Sequence, residues 1–304
     1  MKPFAYQAPT SLREAAALLG QPDLRVRAMA GGTDLLVQLR AGRFDLDLIV
    51  DIKGIEETNR LSYDPVEGLT IGAAVPCCLI YEDRQVQNLY PAIVDSASLI
   101  GGVAVQGRAT IGGNVCNAAP SGDSLPTLMV LGARCRIFGL QGERLIGIEQ
   151  FFTGPGTNVL GPGELLVSLQ VPPPVPNSGA RYLRFIPRNE MDIAVAGVGA
   201  RVDLSDDLQK IISARIALGA VSPTPILIGE AGDTLIGQVP NEEIFSKASA
   251  IAQEAARPIT DMRGTVAYRR HLVEVLVKRA LMDAVDRARS FGKGKIKEVE
   301  THGR

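Results

Sequence analysis

A chain of 304 residues with 46% hydrophobic content is long enough for two domains with substantial cores. Its 32 Lys and Arg against 33 Asp and Glu give a net charge of −1, which excludes the electrostatic footprint of a protein that binds nucleic acid or an anionic membrane. No apolar run approaches the roughly 20 residues that cross a bilayer, and the opening Met1-Lys2-Pro3-Phe4-Ala5-Tyr6-Gln7 lacks the apolar core of a secretory signal, so a cytoplasmic location is the expectation.

Ser11-Leu12-Arg13-Glu14 forms a capping box, and a helix is predicted from there to Gly20. Arg25 to Met29 reads as a strand, Asp34 to Arg40 as a helix and Leu48 to Ile52 as a buried strand. Together they make a β-α-β unit whose strand-to-helix turn carries Gly31-Gly32, a place that favours anions. Leu61 to Tyr63 and Leu69 to Ala73 flank Asp64-Pro65-Val66-Glu67-Gly68 as a hairpin. Helical stretches follow near Cys77 to Asp83 and Tyr90 to Ile100. Gly101 to Ser124, rich in Gly, Asn, Ala and Ser, reads as one long irregular segment, which inside a compact domain usually serves function. Leu125 to Leu131 reads as a helix, and Arg134 to Phe138 and Leu165 to Val171 as strands.

The run Pro172-Pro173-Pro174-Val175-Pro176-Asn177-Ser178-Gly179 fits neither a helix nor a central strand and marks a domain junction. Beyond it, strands are predicted near Tyr182 to Ile186, Ala194 to Val202 and Ile211 to Leu218. Helices are predicted over Asn241 to Arg257 and from Thr265 to about Arg289. In the last helix Leu272, Val275, Leu276, the stem of Arg279, Ala280 and Met282 or Asp283 fit a 3.6-residue period only loosely. The tail 290–304, with lysines among Glu298 and Glu300, reads as a frayed, solvated end.

Residues that carry chemistry are scarce. Histidine is limited to His271 and His302, and neither a G-x-S-x-G elbow nor an H-E-x-x-H motif occurs. Cys77, Cys78, Cys116 and Cys135 form no C-x-x-C pair, which is the wrong spacing for zinc or an iron–sulfur cluster and reads as buried, reduced thiols. The chemistry is therefore expected to belong to a bound cofactor. Two runs point to that cofactor, Ala28-Met29-Ala30-Gly31-Gly32-Thr33-Asp34 and Ala109-Thr110-Ile111-Gly112-Gly113-Asn114. A glycine pair after an extended segment exposes consecutive N–H groups and, lacking Cβ atoms, lets a large anion approach. Two such runs suggest a ligand with adjacent phosphates, a dinucleotide. Neither reads G-x-G-x-x-G, so the Rossmann route is disfavoured.

Longer stretches are more specific. Thr110-Ile111-Gly112-Gly113-Asn114-Val115-Cys116-Asn117-Ala118-Ala119-Pro120-Ser121-Gly122-Asp123, with Ala30-Gly31-Gly32-Thr33-Asp34-Leu35 about 80 residues earlier, resembles the FAD-binding medium subunit of the molybdenum hydroxylases, the group of xanthine dehydrogenase and aerobic carbon monoxide dehydrogenase. Tyr182-Leu183-Arg184-Phe185-Ile186-Pro187-Arg188-Asn189-Glu190-Met191-Asp192-Ile193-Ala194 is similar as well. So is Pro258-Ile259-Thr260-Asp261-Met262-Arg263-Gly264-Thr265, followed by Tyr268-Arg269-Arg270. The resemblance runs from Phe4 to Ala284.

It implies an α+β fold. A vanillyl-alcohol-oxidase (PCMH) type FAD-binding domain would occupy 1–176, with subdomains at about 1–55 and 56–176, and a small C-terminal domain of sheet and helix would occupy 177–289. FAD would be held in this chain, with a molybdopterin cofactor and two [2Fe–2S] clusters on partner subunits, in a dimer of heterotrimers. The chain would relay electrons from the clusters to an external acceptor. Gly31, Gly32, Thr33 and Asp34 would offer N–H groups to the FAD diphosphate, with Ala28, Met29, Ala30 and Leu35 along the same edge. Thr110, Ile111, Gly112, Gly113 and Asn114 would form the facing loop, and Thr110, Gly112, Gly113 and Asn114 would hold the other face in the same way. Asn117 and Asp123 match cofactor-contacting positions, Ile100 and Leu166 match apolar positions beside the ring systems, and Arg184 stands where relatives often carry a Lys.

Plainer readings stand beside these. Asn114 and Asn117 could cap their own backbone, Asp123 could be the N-cap of the following helix, Arg184 could pair with Asp192 or Glu190, and Ile100 and Leu166 could be core. Arg188 and Asp192 read as scaffold or interface. The short-spaced cysteines that would bind an extra [4Fe–4S] cluster are lacking, so no iron is expected in this chain. Two other functions remain open: a self-contained flavin oxidase or dehydrogenase, and a redox-silent nucleotide-binding assembly module.

Overall fold

A computed structural model describes residues 2–188 and 191–294, with side chains described as far as 291. Glu190 and residues 295–304, on which two of the expectations fall, lie outside the described residues. The chain divides into two compact units, one of Met1–Arg84, Ala97–Ala119 and Gly132–Pro173, the other of Gln85–Ser96, Pro120–Leu131 and Pro174 onward.

The first unit opens with β1 (Ala5–Gln7), α1 (Leu12–Leu19), β2 (Val26–Met29), α2 (Leu35–Arg40) and β3 (Leu48–Asp51). Ser11 caps α1, its Oγ accepting from Glu14 N at 3.3 Å, while the Glu14 carboxylate reaches back to Thr10 N rather than to the cap residue. The expected β-α-β unit forms, because β1 and β2 both pair parallel to β3 in the order β1-β3-β2. All four residues of β3 are buried, and Ile49 joins Leu39 and Leu46 in a core packed by Phe4, Met29, Leu35 and Phe44.

The same unit holds β4 (Leu61–Asp64), β5 (Gly68–Gly72), β6 (Arg134–Gly139), β7 (Gly142–Gly147), β8 (Phe152–Gly154), β9 (Thr157–Asn158) and β10 (Leu165–Val171). A five-stranded sheet runs β4-β5-β10-β6-β7, and its strand pairs are all antiparallel. The β4–β5 hairpin turns on Asp64, whose Oδ1 accepts from Val66 N at 2.8 Å and Glu67 N at 2.9 Å. β10 is apolar and buried almost throughout, as a central strand must be. β7 went unread in the sequence because an edge strand with exposed Gly and Glu carries little hydrophobic alternation.

Between β5 and β6 lie α3 (Cys77–Glu82), α4 (Arg84–Leu89), α5 (Pro91–Ala97), α6 (Val103–Gln106), α7 (Ile111–Asn117) and α8 (Ser124–Val130). This corrects the reading of Gly101 to Ser124 as irregular. Thr110, extended at φ −128°, caps α7 with its hydroxyl on Gly113 N at 2.8 Å, and Ala118 closes the helix in the left-handed region at φ 49°. Two glycines cost a helix about 1 kcal/mol each against alanine. The cap and the burial of Ile111, Gly112 and Val115 offset that penalty, which local propensity could not anticipate.

The second unit is built on the antiparallel sheet β11 (Ser178–Phe185), β12 (Ala196–Leu204), β13 (Ile211–Gly219) and β14 (Ile226–Leu227), in that order. After α9 (Gly229–Asp233) come α10 (Glu242–Ala255), capped by Asn241 Oδ1 on Ile244 N at 3.0 Å, and α11 (Val266–Gly294), which continues past the predicted end at Arg289. The predicted apolar stripe of α11 is also corrected. Val273, Val277, Leu281 and Ala284 join Leu272, Leu276 and Ala280 as buried positions, whereas Met282 is exposed. α11 packs on both the sheet and α10, so its buried face is wide and partly made of alanine, which blurs the periodicity. Within the Pro258–Thr265 and Tyr268–Arg270 segments the conspicuous residue is structural. Buried Arg269 donates to Val195 O at 2.7 Å, Ala220 O at 3.2 Å and the Asp261 carboxylate at 2.7 Å.

Candidate functional site

The first unit forms an open cavity of about 580 Å³. The whole run Val26–Leu35 lines it, together with Ile100, Thr110, Gly112–Asn114, Asn117 and Leu166. It thus brings together every residue singled out from the two glycine runs except Ile111, which is buried in the core. Asp123 and Arg184 do not line it. The sequence missed the remaining walls, above all Gln38, Cys116 and the segments Gly156–Asn158 and Leu160–Leu165. Gln38 lies on α2 and Cys116 on α7, and the two segments are β9, loop positions and the first residue of β10 with no motif of their own, gathered only by tertiary folding.

The first run is shaped by steric exclusion. A Cβ on Gly31 would stand 2.0 Å from the Arg108 carbonyl oxygen, and Gly32 turns the chain at φ +76°, a conformation that costs L-residues dearly. Leu36 N then donates to Gly32 O at 3.0 Å and Gln38 N to Asp34 O at 2.9 Å as α2 begins. The N–H groups of Gly31, Gly32, Thr33 and Asp34 donate to no acceptor among the described residues. Four consecutive unpartnered donors on residues that line a cavity are the arrangement an anion-binding nest requires. Asp34, though at the N-cap position, makes no side-chain cap bond. Burial pushes its carboxyl above the ordinary value, against the pull of Arg43.

The second run differs from its expected form. Gly112 packs edge-on, with a Cβ there falling 2.4 Å from Ala73 Cα. The N–H of Gly113 is taken by Thr110 Oγ1 at 2.8 Å and that of Asn114 by Thr110 O at 3.0 Å. Those two donors, expected to face a ligand, are spent inside α7. Asn117 accepts from Gln38 Nε2 at 3.2 Å and ties α7 to α2.

Charge in the cavity wall is sparse. Glu164 is held by Arg144 through paired contacts of 2.8 Å, which keep its carboxyl below the usual range. Arg27 is the one Lys or Arg among the described residues that line the cavity, and its guanidinium lies 4.0 Å over the Phe44 ring. Of the cysteines, Cys77 and Cys135 are buried, whereas Cys78 and Cys116 are half-buried rather than fully so. Burial pushes the Cys116 thiol up to about 12, so it faces the cavity as a neutral group. Among the described residues no cluster of three His, Cys, Asp or Glu side chains is placed to hold a metal.

In the second unit Asp123 and Arg184 find each other. Asp123 Oδ2 accepts from Arg184 Nη1 at 2.6 Å and Oδ1 from Tyr182 Oη at 2.8 Å, all three side chains being buried. Burial drives the Asp123 carboxyl upward against the opposing pull of Arg184 and Tyr182. Asp123 makes no side-chain cap on α8. The partner of Arg184 is therefore Asp123 and not Asp192, which bonds to Arg263 at 3.4 Å and lies 3.5 Å from Arg188.

Residues 2–174 match the FAD binding domain in molybdopterin dehydrogenase, and residues 181–284 match the CO dehydrogenase flavoprotein C-terminal domain. The chain belongs to the FAD-binding medium subunits of the molybdenum hydroxylases. It is 31% identical over 282 residues to the xanthine dehydrogenase FAD-binding subunit of Escherichia coli O157:H7, covering 92% of this chain and 96% of that one. It is 28% identical to the carbon monoxide dehydrogenase medium chain of Afipia carboxidovorans, over 94% and 98% of the two chains. Among solved structures, the reconstituted CO dehydrogenase from Oligotropha carboxidovorans superposes with a TM-score of 0.89 at 28% identity, over 94% of this chain and 99% of that one. Quinoline 2-oxidoreductase from Pseudomonas putida 86 gives 0.87 at 28% identity, over 95% and 99%. The family membership makes this an FAD-dependent oxidoreductase subunit of α+β fold with an FAD-binding domain. No helix among the described residues is long and apolar enough to cross a membrane.

Proposed function

We propose that this chain is the FAD-carrying electron-transfer subunit of a cytoplasmic molybdenum hydroxylase, assembled with a [2Fe–2S] small subunit and a molybdopterin large subunit as a dimer of heterotrimers. The observation that carries the reading is the row of four free N–H groups from Gly31 to Asp34 at the wall of the cavity. A diphosphate satisfies such donors, and a volume of about 580 Å³ is that of a small-molecule or cofactor site. The relatives supply context, because xanthine dehydrogenase, carbon monoxide dehydrogenase and quinoline 2-oxidoreductase share this subunit fold while their names differ in substrate.

Gly31, Gly32, Thr33 and Asp34 would grip the diphosphate through backbone N–H groups, and Thr33 would add its hydroxyl. Ala28, Met29, Ala30 and Leu35 would line that edge. Thr110, Gly112, Gly113 and Asn114 would bound the facing wall, Gly112 with an N–H that no acceptor among the described residues takes and with a missing Cβ that lets α7 sit against Ala73. Ile100, Leu166 and the apolar lining would exclude water from the rings, and Asn117 would hold α7 to α2. Bound FAD would supply the redox chemistry, taking electrons from the iron–sulfur subunit and giving them to an external acceptor. This chain's part is to bind, orient and shield.

The test is to purify the full chain, add FAD and offer organic reductants with and without the partner subunits. Equimolar flavin uptake, with reduction by substrate only in the assembled complex, is expected. Reduction of the flavin by an organic substrate in the isolated chain would make it a self-contained dehydrogenase. Failure to take up FAD would leave a nucleotide-binding or assembly role.

A further inference from the structure

Behind the first glycine run, outside the cavity lining, stands a polar strut. Lys53 lies in the 3-10 turn that follows β3, and its Nζ donates to the Ala30 carbonyl at 3.0 Å and to both Asp51 carboxylate oxygens at 2.7 Å. Asp51, the last residue of β3, has a side chain only 8% exposed. It also accepts from Lys53 N at 3.0 Å and from the Tyr6 hydroxyl on β1. Burial alone would raise the Asp51 carboxyl, but the hydrogen bonds from Lys53 and Tyr6 outweigh it and keep the group below its ordinary value. The carboxylate is therefore charged at neutral pH and anchors the ammonium.

The geometry of the peptide bond turns this strut into an aiming device. The Ala30 carbonyl and the Gly31 N–H belong to one planar trans peptide, so they point to opposite sides. Holding the carbonyl on Lys53 turns the N–H away from Lys53. Gly31 lines the cavity and Lys53 does not, which puts the N–H side of this peptide on a cavity-lining residue. On its Cα side Gly31 is pressed against the Arg108 carbonyl too closely for any Cβ, and the Ala30 carbonyl is held by the Lys53 ammonium.

We infer that Lys53 is a positioning residue for the anion nest, with Asp51 and Tyr6 as its base. It aims the first N–H of the row at a diphosphate that Lys53 itself does not touch. The inference rests on the reading of the cavity as an FAD site. An unaimed peptide must be ordered at the moment of binding, whereas an aimed one binds without that cost.

The experiment strips FAD from the full chain and titrates it back by flavin fluorescence, with ADP as a competitor because it shares the diphosphate. Loss of one charge-assisted hydrogen bond should raise the Kd for FAD and the competition constant of ADP about 10- to 100-fold in Lys53→Met. Lys53→Arg, which keeps the donor and the charge, should stay within about threefold of the natural chain. Rescue by Arg is the readout that a bulk stabilising role would not give. An unchanged FAD Kd in a folded Lys53→Met chain overturns the inference, as does a Lys53→Arg chain no better than Lys53→Met. Should Lys53→Met not fold, Tyr6→Phe decides, because loosening Asp51 should raise the Kd about threefold and an unchanged value overturns the inference. Failure of the natural chain to bind FAD or ADP is a separate outcome, which removes the FAD reading itself.

Discussion

The two glycine pairs look alike in sequence and differ in structure. At Gly31-Gly32 the chain is a turn with four N–H groups that have no acceptor among the described residues, with Gly31 packed on the Arg108 carbonyl and the Ala30 carbonyl held by Lys53. At Gly112-Gly113 it is the first turn of a helix, with Thr110 consuming the donors of Gly113 and Asn114 and leaving only that of Gly112 without an acceptor among the described residues. In the first pair glycine frees the backbone for a ligand. In the second it lets one backbone approach another, Gly112 against Ala73. A shared motif therefore need not mean a shared task. The deciding feature is whether the N–H groups are already satisfied within the fold.

The sharpest break between the pairs is expected from Gly31→Ala. A methyl group 2.0 Å from the Arg108 carbonyl forces the nest to move, and FAD affinity should fall about 100-fold, since overpacking of this kind costs about 1–3 kcal/mol. A titration showing natural affinity would mean that the first pair is not the diphosphate site. Next in size, Thr110→Val removes a helix cap and should cost about 1 kcal/mol of stability in urea, with Thr110→Ser restoring it. A large loss of FAD binding without loss of stability would show that the second run also contacts the ligand.

Asp34 tests the electrostatics of the nest. Its carboxyl is raised by burial, so the native chain holds that proton more tightly than the unfolded chain does. Stability from this group therefore falls as pH rises from its ordinary value of 3.8 through its raised value, and is level above that. FAD-free Asp34→Asn should be more stable than the natural chain at neutral pH, with the gap closing in acid. A gap that widens in acid would reverse the assignment. The smallest effect belongs to Gly113→Ala, whose methyl would meet only the Thr110 hydroxyl at 2.9 Å. Because Gly113 lines the cavity and the Thr110 hydroxyl must shift, FAD affinity should fall severalfold, well short of the collapse expected at Gly31.

Much of the site was legible because its signals are local. The glycine turn, the strand before it, the helix after it and the β3 strand all follow from short runs, and they assembled as read. The second run was misread as loop because glycine argues against a helix, while the cap and the buried contact that make one lie in Thr110 and in Ala73, the latter nearly 40 residues away in sequence. Asp123 and Arg184 were singled out by resemblance. Their mutual pairing across 61 residues could not be read from either one alone.

The sequence by itself determined the class of this protein. Glycine pairs, the scarcity of His and metal-ligand sets, and the family motifs are properties of order along the chain. Only the tertiary structure decided which donors are free and what aims them. Tyr6 and Asp51 stand 45 residues apart, and Lys53 and Ala30 stand 23 apart. Hydrogen-bond satisfaction depends on which distant groups the sheet brings within about 3 Å of each other, and no local pattern encodes that proximity.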